Sequence, residues 1–435
     1  MRSNRPCTHG KPIGKCLRAV LLLALGVPSL ASAQAWIGAS PFGGAWSDPL
    51  NWLDGILPVS ATTAQVSFLS AASPSSNQDL ASPFVLNSLV VGSFAPSISL
   101  TGGTLRFAGG AVLRQNAAGL ATFANRVTID DTLVYDGSGS AVLAGTFDSS
   151  GVNPPAATRL VKGGTGTLFL AAENPFAGEV LVEQGLLSLQ HQRALAHGHV
   201  RLNVDQGLAF NSFASIALGN LSGSGALSLG ATQLSVGAAA VTGTYSGRLS
   251  ATTGSLVVTG PGRLELSGPG SSLHSVRVDA GTLAVSGGSL VLNSSSAIVS
   301  PALRVANGGV LEVGAGGKLD ALGGNLGAVY IDGTPGTRAS VDGTGSRLSA
   351  GLFIRVGDVA SGLMTTGSFV AGAGPGASGM ATLTGAGSRL VADDVALGSL
   401  ASLGNPDGVG KLTIRDGALV DAGTTSMVSV GSTVQ

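Results

Sequence analysis

The sequence predicts an all-β fold: a right-handed parallel β-helix, or β-solenoid, with an aromatic cap at its N-terminal end. Three observations lead there. The first is an internal echo. KGGTGTLFLAAENPFAGEVLVEQGLLSL, from Lys162 to Leu189, matches TGPGRLELSGPGSSLHSVRVDAGTLAV, from Thr259 to Val285, without a gap at an offset of 96 residues. Gly166, Leu168, Leu170, Gly185 and Leu187 fall on Gly262, Leu264, Leu266, Gly281 and Leu283. What recurs is a framework of glycines and alternating aliphatics, the pattern a stacked repeat needs to turn each coil and bury its inner face. The second is composition: 44% hydrophobic residues with only 11% charged and 4% aromatic, which gives a chain able to bury a core but poor in helix formers. The third is a succession of short alternating runs closed by Gly, Asn or Asp, such as FVLNSLVVG from Phe84, SLTGGTLRFAGG from Ser99, VTIDDTLVYDG from Val127 and GSLVVTGPGRLELSG from Gly254.

The elements follow in order. Residues 1–33 read as a secretory signal peptide: Arg2, Arg5, Lys11, Lys15 and Arg18 form a basic start, Ala19 to Leu30 an apolar stretch, and Ala31-Ser32-Ala33 a cleavage site ending at Ala33. The apolar run is shorter than the ~20 residues a membrane-spanning helix needs, and it contains Pro28. Residues 34–70 carry all three tryptophans, Trp36, Trp46 and Trp52, before a strand-like AQVSFLS from Ala64. Rings gathered at one end can cover an edge strand that would otherwise recruit other chains, so Trp46 and Trp52 are read as cap residues. The competing reading is an aromatic platform for sugar or another ligand. Residues 71–300 form the first stretch of β-helix and residues 301–435 its continuation. The glycine spacing of 19 within each matched segment, taken five times, comes close to 96, which predicts coils of roughly 19 to 20 residues and about 20 coils.

Charge and cysteine content narrow the function classes. Removing the leader takes five of 23 basic residues and none of the acidic ones, leaving 18 against 23. A mildly acidic chain without a basic block argues against a nucleic-acid partner. Cys7 and Cys16 both lie in the leader, so the exported chain has no thiol for a disulfide or a metal. Lys162, Lys318 and Lys411 are the only lysines left.

The residues also carry a resemblance. GTGTLFLAAENPFAGEVLVEQGLLSL resembles the passenger-associated repeat of bacterial autotransporters, through Gly166, Thr167, Leu168, Leu170, Asn174, Gly178, Val180, Val182, Gly185 and Leu187. RALAHGHVRLNV, from Arg193, is similar to that repeat's continuation. The second copy departs, with Gly270 in the asparagine position and His274 in place of Gly178. A second repeat type, found in passengers and other exported bacterial proteins, is resembled by GTGSRLSAGLFIRVGD from Gly343, TGAGSRLVADDVALGS from Thr384 and GVGKLTIRDGALVDAG from Gly408. The two GSRL cores stand 42 residues apart, which the coil estimate reads as two coils. The start around Trp46, Asn51, Trp52 and Pro58 is similar to that of many passengers. The resemblance implies a type V secretion passenger, a Gram-negative source and a C-terminal translocator barrel. No segment up to Gln435 carries the alternating, aromatic-girdled pattern of such a barrel.

Candidate chemistry is sparse. His191, His197 and His199 are the one histidine cluster, and His197 and His199 would share a face of a strand, but the segment is accounted for as repeat continuation. Gly374, Gly376 and Gly379 make a GxGxxG string with Pro375 inside and a strand-like run after it, where dinucleotide binding needs a helix. Asp130, Asp131, Asp393 and Asp394 are two adjacent acidic pairs, and neighbours on a strand point to opposite faces, so neither is a preformed dyad. The expectation is therefore no catalytic residue, metal or cofactor. The predicted role is structural or adhesive, at the cell surface or outside the cell, with outer-membrane translocation machinery or a downstream barrel and a host or matrix glycan or protein as partners. A secreted β-helix that binds or cleaves polysaccharide is the alternative.

Overall fold

Short alternating runs bury one face only when another strand lies beside them, and the chain supplies that strand by winding back on itself in parallel. The computed structural model describes residues 33–69, 74–149, 151, 157–294 and 301–322, and beyond them segments, chiefly strands, between 328 and 434. Pairing is parallel from Gln34↔Val66 at one end to Lys411↔Thr433 at the other. Among the described residues the only helical turns are two of 3-10 type, Pro49–Asn51 and Leu53–Gly55. The chain is an all-β solenoid.

Each coil contributes to three faces. In the N-terminal half Val127–Ile129 and Phe147–Ser149 stack on the first, Thr132–Asp136, Arg159–Lys162 and Glu179–Val182 on the second, and Ala121–Phe123, Ala141–Leu143, Thr167–Leu170 and Leu186–Leu189 on the third. Long strands such as Phe84–Val91 and Leu105–Gln115 turn the corner between the first two. Their register slips there, from Leu86↔Phe107 to Ser88↔Val112. The slack is taken up at Gly109 and Gly110, with φ of 73° and 67°, a region glycine enters without a Cβ clash. Asn87 Nδ2 ties the bend by donating to Ala108 O and Gly109 O at 2.9 Å.

The register corrects the expected coil length. Some steps are short: Leu168↔Leu187 and Leu264↔Leu283 each span the 19 residues read from the glycine spacing. Others are longer, as in Leu160↔Leu133 and Leu283↔Leu311, because turns of variable length are inserted between strands of fixed pairing. The coils are consequently fewer than the 20 expected. The 96-residue echo also has a different meaning. Leu168 lies on the third face, whereas Leu264 lies on the ladder that runs through Val180↔Val200, Leu202↔Gly223, Gly223↔Tyr245 and Tyr245↔Leu266, the second face. The matched strands are set one face apart, and the second segment adds a short strand, Ser271–Leu273, between them. Likewise the 42 residues between GSRL cores make a single step on two faces, Ala339↔Ala381 and Leu348↔Leu390. They make two steps on the remaining face, where Ser368–Ala371 is inserted between Phe353–Val356 and Asp394–Gly398.

One column of aliphatic and aromatic residues fills the interior. Leu168, Leu170, Leu187, Leu264, Leu266 and Leu283 are all buried within it. At its N-terminal end sits an aromatic cluster: Trp36, Trp46 and Trp52 are buried beside Phe68 and Phe84. Trp52 meets Trp36 at 5.1 Å and Trp46 at 5.4 Å, both edge-to-face, and Trp46 meets Phe84 at 5.1 Å in the same way. Such pairs contribute about 0.5–1.5 kcal/mol each beyond area burial. Trp46 Nε1 donates to Ser76 Oγ at 2.7 Å and Trp52 Nε1 to Trp46 O at 2.8 Å, whereas Trp36 Nε1 has no acceptor. Rings buried to this degree are closed to a ligand, so the sugar-platform reading has no exposed face to use.

Polar residues inside the column serve the turns. Gln115 Nε2 reaches Gly119 O and Ser140 O, Tyr135 OH reaches Gly139 O at 2.7 Å, and Lys162 Nζ donates to Gly164 O and to Gln184 O. Glycine turns crossing between coils leave carbonyls that no ladder satisfies, and a buried donor from the neighbouring strand is the remedy. Asn174, in the position the repeat pattern marks, accepts from Phe147 N at 2.8 Å and donates to Ala194 O at 3.0 Å, joining the coils on either side.

Candidate functional site

The regular stack is interrupted between about residue 195 and residue 246, and two surface depressions lie there. The interruption begins in the strand Leu195–Leu202, whose register against Ser215–Gly223 slips between Leu195↔Leu218 and His199↔Asn220. Ser215–Gly223 then hands on to two different strands: Ser215 pairs with Gln233 and Gly223 with Tyr245. On the third face the first ladder ends at Leu208–Ala209 and a new one starts at Leu227–Gly230, without ladder pairing between them. Asp205 and Gln206 bridge that seam instead. Ala226 N donates to Asp205 Oδ1 at 2.7 Å, Gln206 N to Ala226 O at 2.7 Å, and Ser228 N to Gln206 Oε1 at 3.3 Å.

The depression in the seam has a volume of 710 Å³. Leu208, Phe210 and Leu229 are buried in its floor, Phe213 is half-buried, and Gln206, Ser212 and Ser228 stand exposed at its rim. Gln206, Asn211 and Ser212 have φ of 53°, 46° and 60°. Left-handed backbone at residues other than glycine costs about 1–3 kcal/mol each and persists only where neighbours enforce it. Here Asn211 Nδ2 is tied to Gln190 Oε1 at 2.9 Å, and Thr232 Oγ1 holds Phe213 O at 2.8 Å.

The second depression, 360 Å³, lies on the outer side of the second face, where Ser222, Thr242, Thr244 and Ser246 are small beside His199 and Arg201. His199 Nε2 and Ser222 Oγ are 2.6 Å apart. Burial lowers the His199 pKa; Glu179 on the adjacent strand opposes that shift and Arg201 adds to it. The shift favours the neutral imidazole. A neutral histidine on a serine hydroxyl is the start of a nucleophile-base pair. The rest of such a centre is otherwise engaged: Glu179 is held by Arg159 at 2.8 Å and Arg201 at 3.0 Å, while Ser224 N and Gly225 N both donate to Leu202 O.

The residues singled out in the sequence are placed as follows. His191 lies in a turn, with Nδ1 accepting from Arg193 N at 3.2 Å, His197 is exposed at the register slip, and His199 belongs to the second depression. No set of three metal-ligating side chains occurs among the described residues. Asp130 pairs with Arg106 at 2.8 Å, and Asp131 accepts from Thr132 Oγ1 at 3.3 Å. Asp394 begins the strand Asp394–Gly398; Asp393, Gly374 and Gly376 lie outside the described residues, and Gly379 falls within the strand Ser378–Thr384. Sequence reasoning missed both depressions. The available signal was the loss of alternation in AFNSFASIAL, between Ala209 and Leu218.

The chain matches no protein-family profile, no curated protein and no solved structure.

Proposed function

We propose that the chain is the exported β-helical passenger of an autotransporter-like system, displayed on the surface of a Gram-negative cell or released from it, with a structural or adhesive role. The observation that carries the reading is the parallel ladder of the second face, which runs from Gln34 to Val434 past the break in the third. Such a stack folds by adding one coil to the last and needs no other domain to close its core. The leader-like start ending at Ala33 and the absence of cysteine after Cys16 support export. Rows of outward Ser, Thr and charged residues offer many weak contacts, which sum to avidity without a deep pocket. No cofactor or metal is required by this role, and the proposed partners are outer-membrane translocation machinery or a downstream barrel, together with a host or matrix glycan or protein.

Fractionation with N-terminal sequencing tests the reading. It expects a mature chain beginning at Gln34 in the outer-membrane or extracellular fraction, and a cytoplasmic chain with its leader intact contradicts it. The two depressions favour a second reading, a secreted β-helix that binds or cleaves polysaccharide. Release of new reducing ends from a polysaccharide panel separates cleavage from adhesion.

A further inference from the structure

We infer that the seam between Leu208–Ala209 and Leu227–Gly230 is a binding site for a neutral pyranose ring within an oligosaccharide. The inference rests on the extracellular, adhesive reading for its biological sense but not for its chemistry. Half-buried Phe213, with Ala209, Ala214 and Ala231 beside it, presents the apolar surface over a floor of buried Leu208, Phe210 and Leu229, while Gln206, Ser212 and Ser228 supply a polar rim, and no charged side chain lines the depression. A ligand that suits it has one apolar face, hydrogen-bonding groups around its edge and no net charge. A pyranose has that form: its axial C–H groups make an apolar face for a phenyl ring, and its equatorial hydroxyls point outward to amide and hydroxyl partners. A phosphate, a uronate or a nucleic-acid backbone would find no cation here.

The hydroxyls of Ser212 and Ser228 and the Gln206 amide nitrogen make no hydrogen bond to protein among the described residues, whereas Thr232 Oγ1 and Gln206 Oε1 are already engaged. Three groups able to bond a ligand therefore converge on one opening. The opening exists because the third-face ladder stops and restarts, and because Gln206, Asn211 and Ser212 hold left-handed backbone around it. A coil of ordinary pairing would close it.

The test is titration of the mature chain with maltohexaose, cellohexaose, mannohexaose and the charged hexamer of galacturonic acid, read by calorimetry and by saturation-transfer NMR. At least one neutral hexamer is expected to bind in the micromolar to millimolar range. Phe213→Ala should weaken it by about tenfold or more. Ala231→Arg, at an exposed position on the rim, should abolish it without altering the circular dichroism spectrum or urea midpoint. The inference is overturned if no neutral hexamer binds, if only the charged hexamer binds, or if binding persists unchanged in Ala231→Arg. These outcomes are independent of the export test, because a chain can reach the cell surface with an empty seam or bind sugar without leaving the periplasm.

Discussion

Lys162 is the residue whose position makes the sharpest demand on the fold. It is fully buried, with its ammonium bonded to Gly164 O and Gln184 O and standing 5.3 Å from the centre of the Tyr135 ring. Burial pushes its pKa down to about 8, with Asp136 opposing. Below pH 8 the lysine is protonated in both folded and unfolded chains and adds no slope. Between pH 8 and pH 10 the folded chain releases the proton while the unfolded chain keeps it, so stability rises with pH. Above about pH 10 burial of Tyr135 and Tyr245 acts the other way, since both are pushed up and the unfolded chain ionises first. Urea midpoints should show wild type gaining about 1–3 kcal/mol on Lys162→Met between pH 8 and 10, and parallel curves would refute this. Asn174→Ala strands Phe147 N and Ala194 O in the interior and should cost about 2–4 kcal/mol. Asn293→Ala, which loses one exposed bond to Ser272, should cost under about 1 kcal/mol in the same denaturation series. The repeat pattern marked Asn174, but Lys162 gave no sign of burial, because a lysine in a polar turn sequence reads as solvated until the neighbouring coil is known.

At the scale of a single turn, glycine is required where coils cross at backbone distance. A Cβ at Gly166 would stand 1.7 Å from Gly139 O, whereas one at Gly163 would meet nothing nearer than 3.8 Å. Gly166→Ala is therefore expected to lower the thermal midpoint by several degrees or prevent folding, and Gly163→Ala to leave it within about a degree. The aromatic end makes a second test: Trp46→Ala and Trp52→Ala each remove a buried ring and should expose the first coils to limited proteolysis, with a loss of about 3–5 kcal/mol. Strand positions were legible at this scale, since Phe84–Val91, Val127–Ile129 and Arg263–Leu266 fall on the alternating runs. Coil length was not. Alternation reports which residues face inward, while the number of residues in an intervening turn leaves no periodic trace, so Leu168 and Leu264 share a motif without sharing a face.

For the whole molecule, the sheet ladders set the axis and the outer ion pairs decorate it. Glu179 takes Arg159 and Arg201 from the strands on either side, and Arg263 joins Glu312, yet the arginines are a third to a half exposed and each pair is worth about 0–1 kcal/mol. High salt should therefore shift the unfolding midpoint little, while the interior column carries the stability. The two depressions were illegible in the sequence because they arise from a missing pairing and a patch of small residues, both defined only once coils are stacked. The export claim is tested most directly by inserting an epitope beside Phe94, which is 90% exposed in a turn, and probing intact source cells with antibody and protease. An exported chain presents the epitope on unbroken cells or in the medium, and begins at Gln34. An epitope that stays protected until the cells are lysed, on a chain still carrying its first 33 residues, contradicts export.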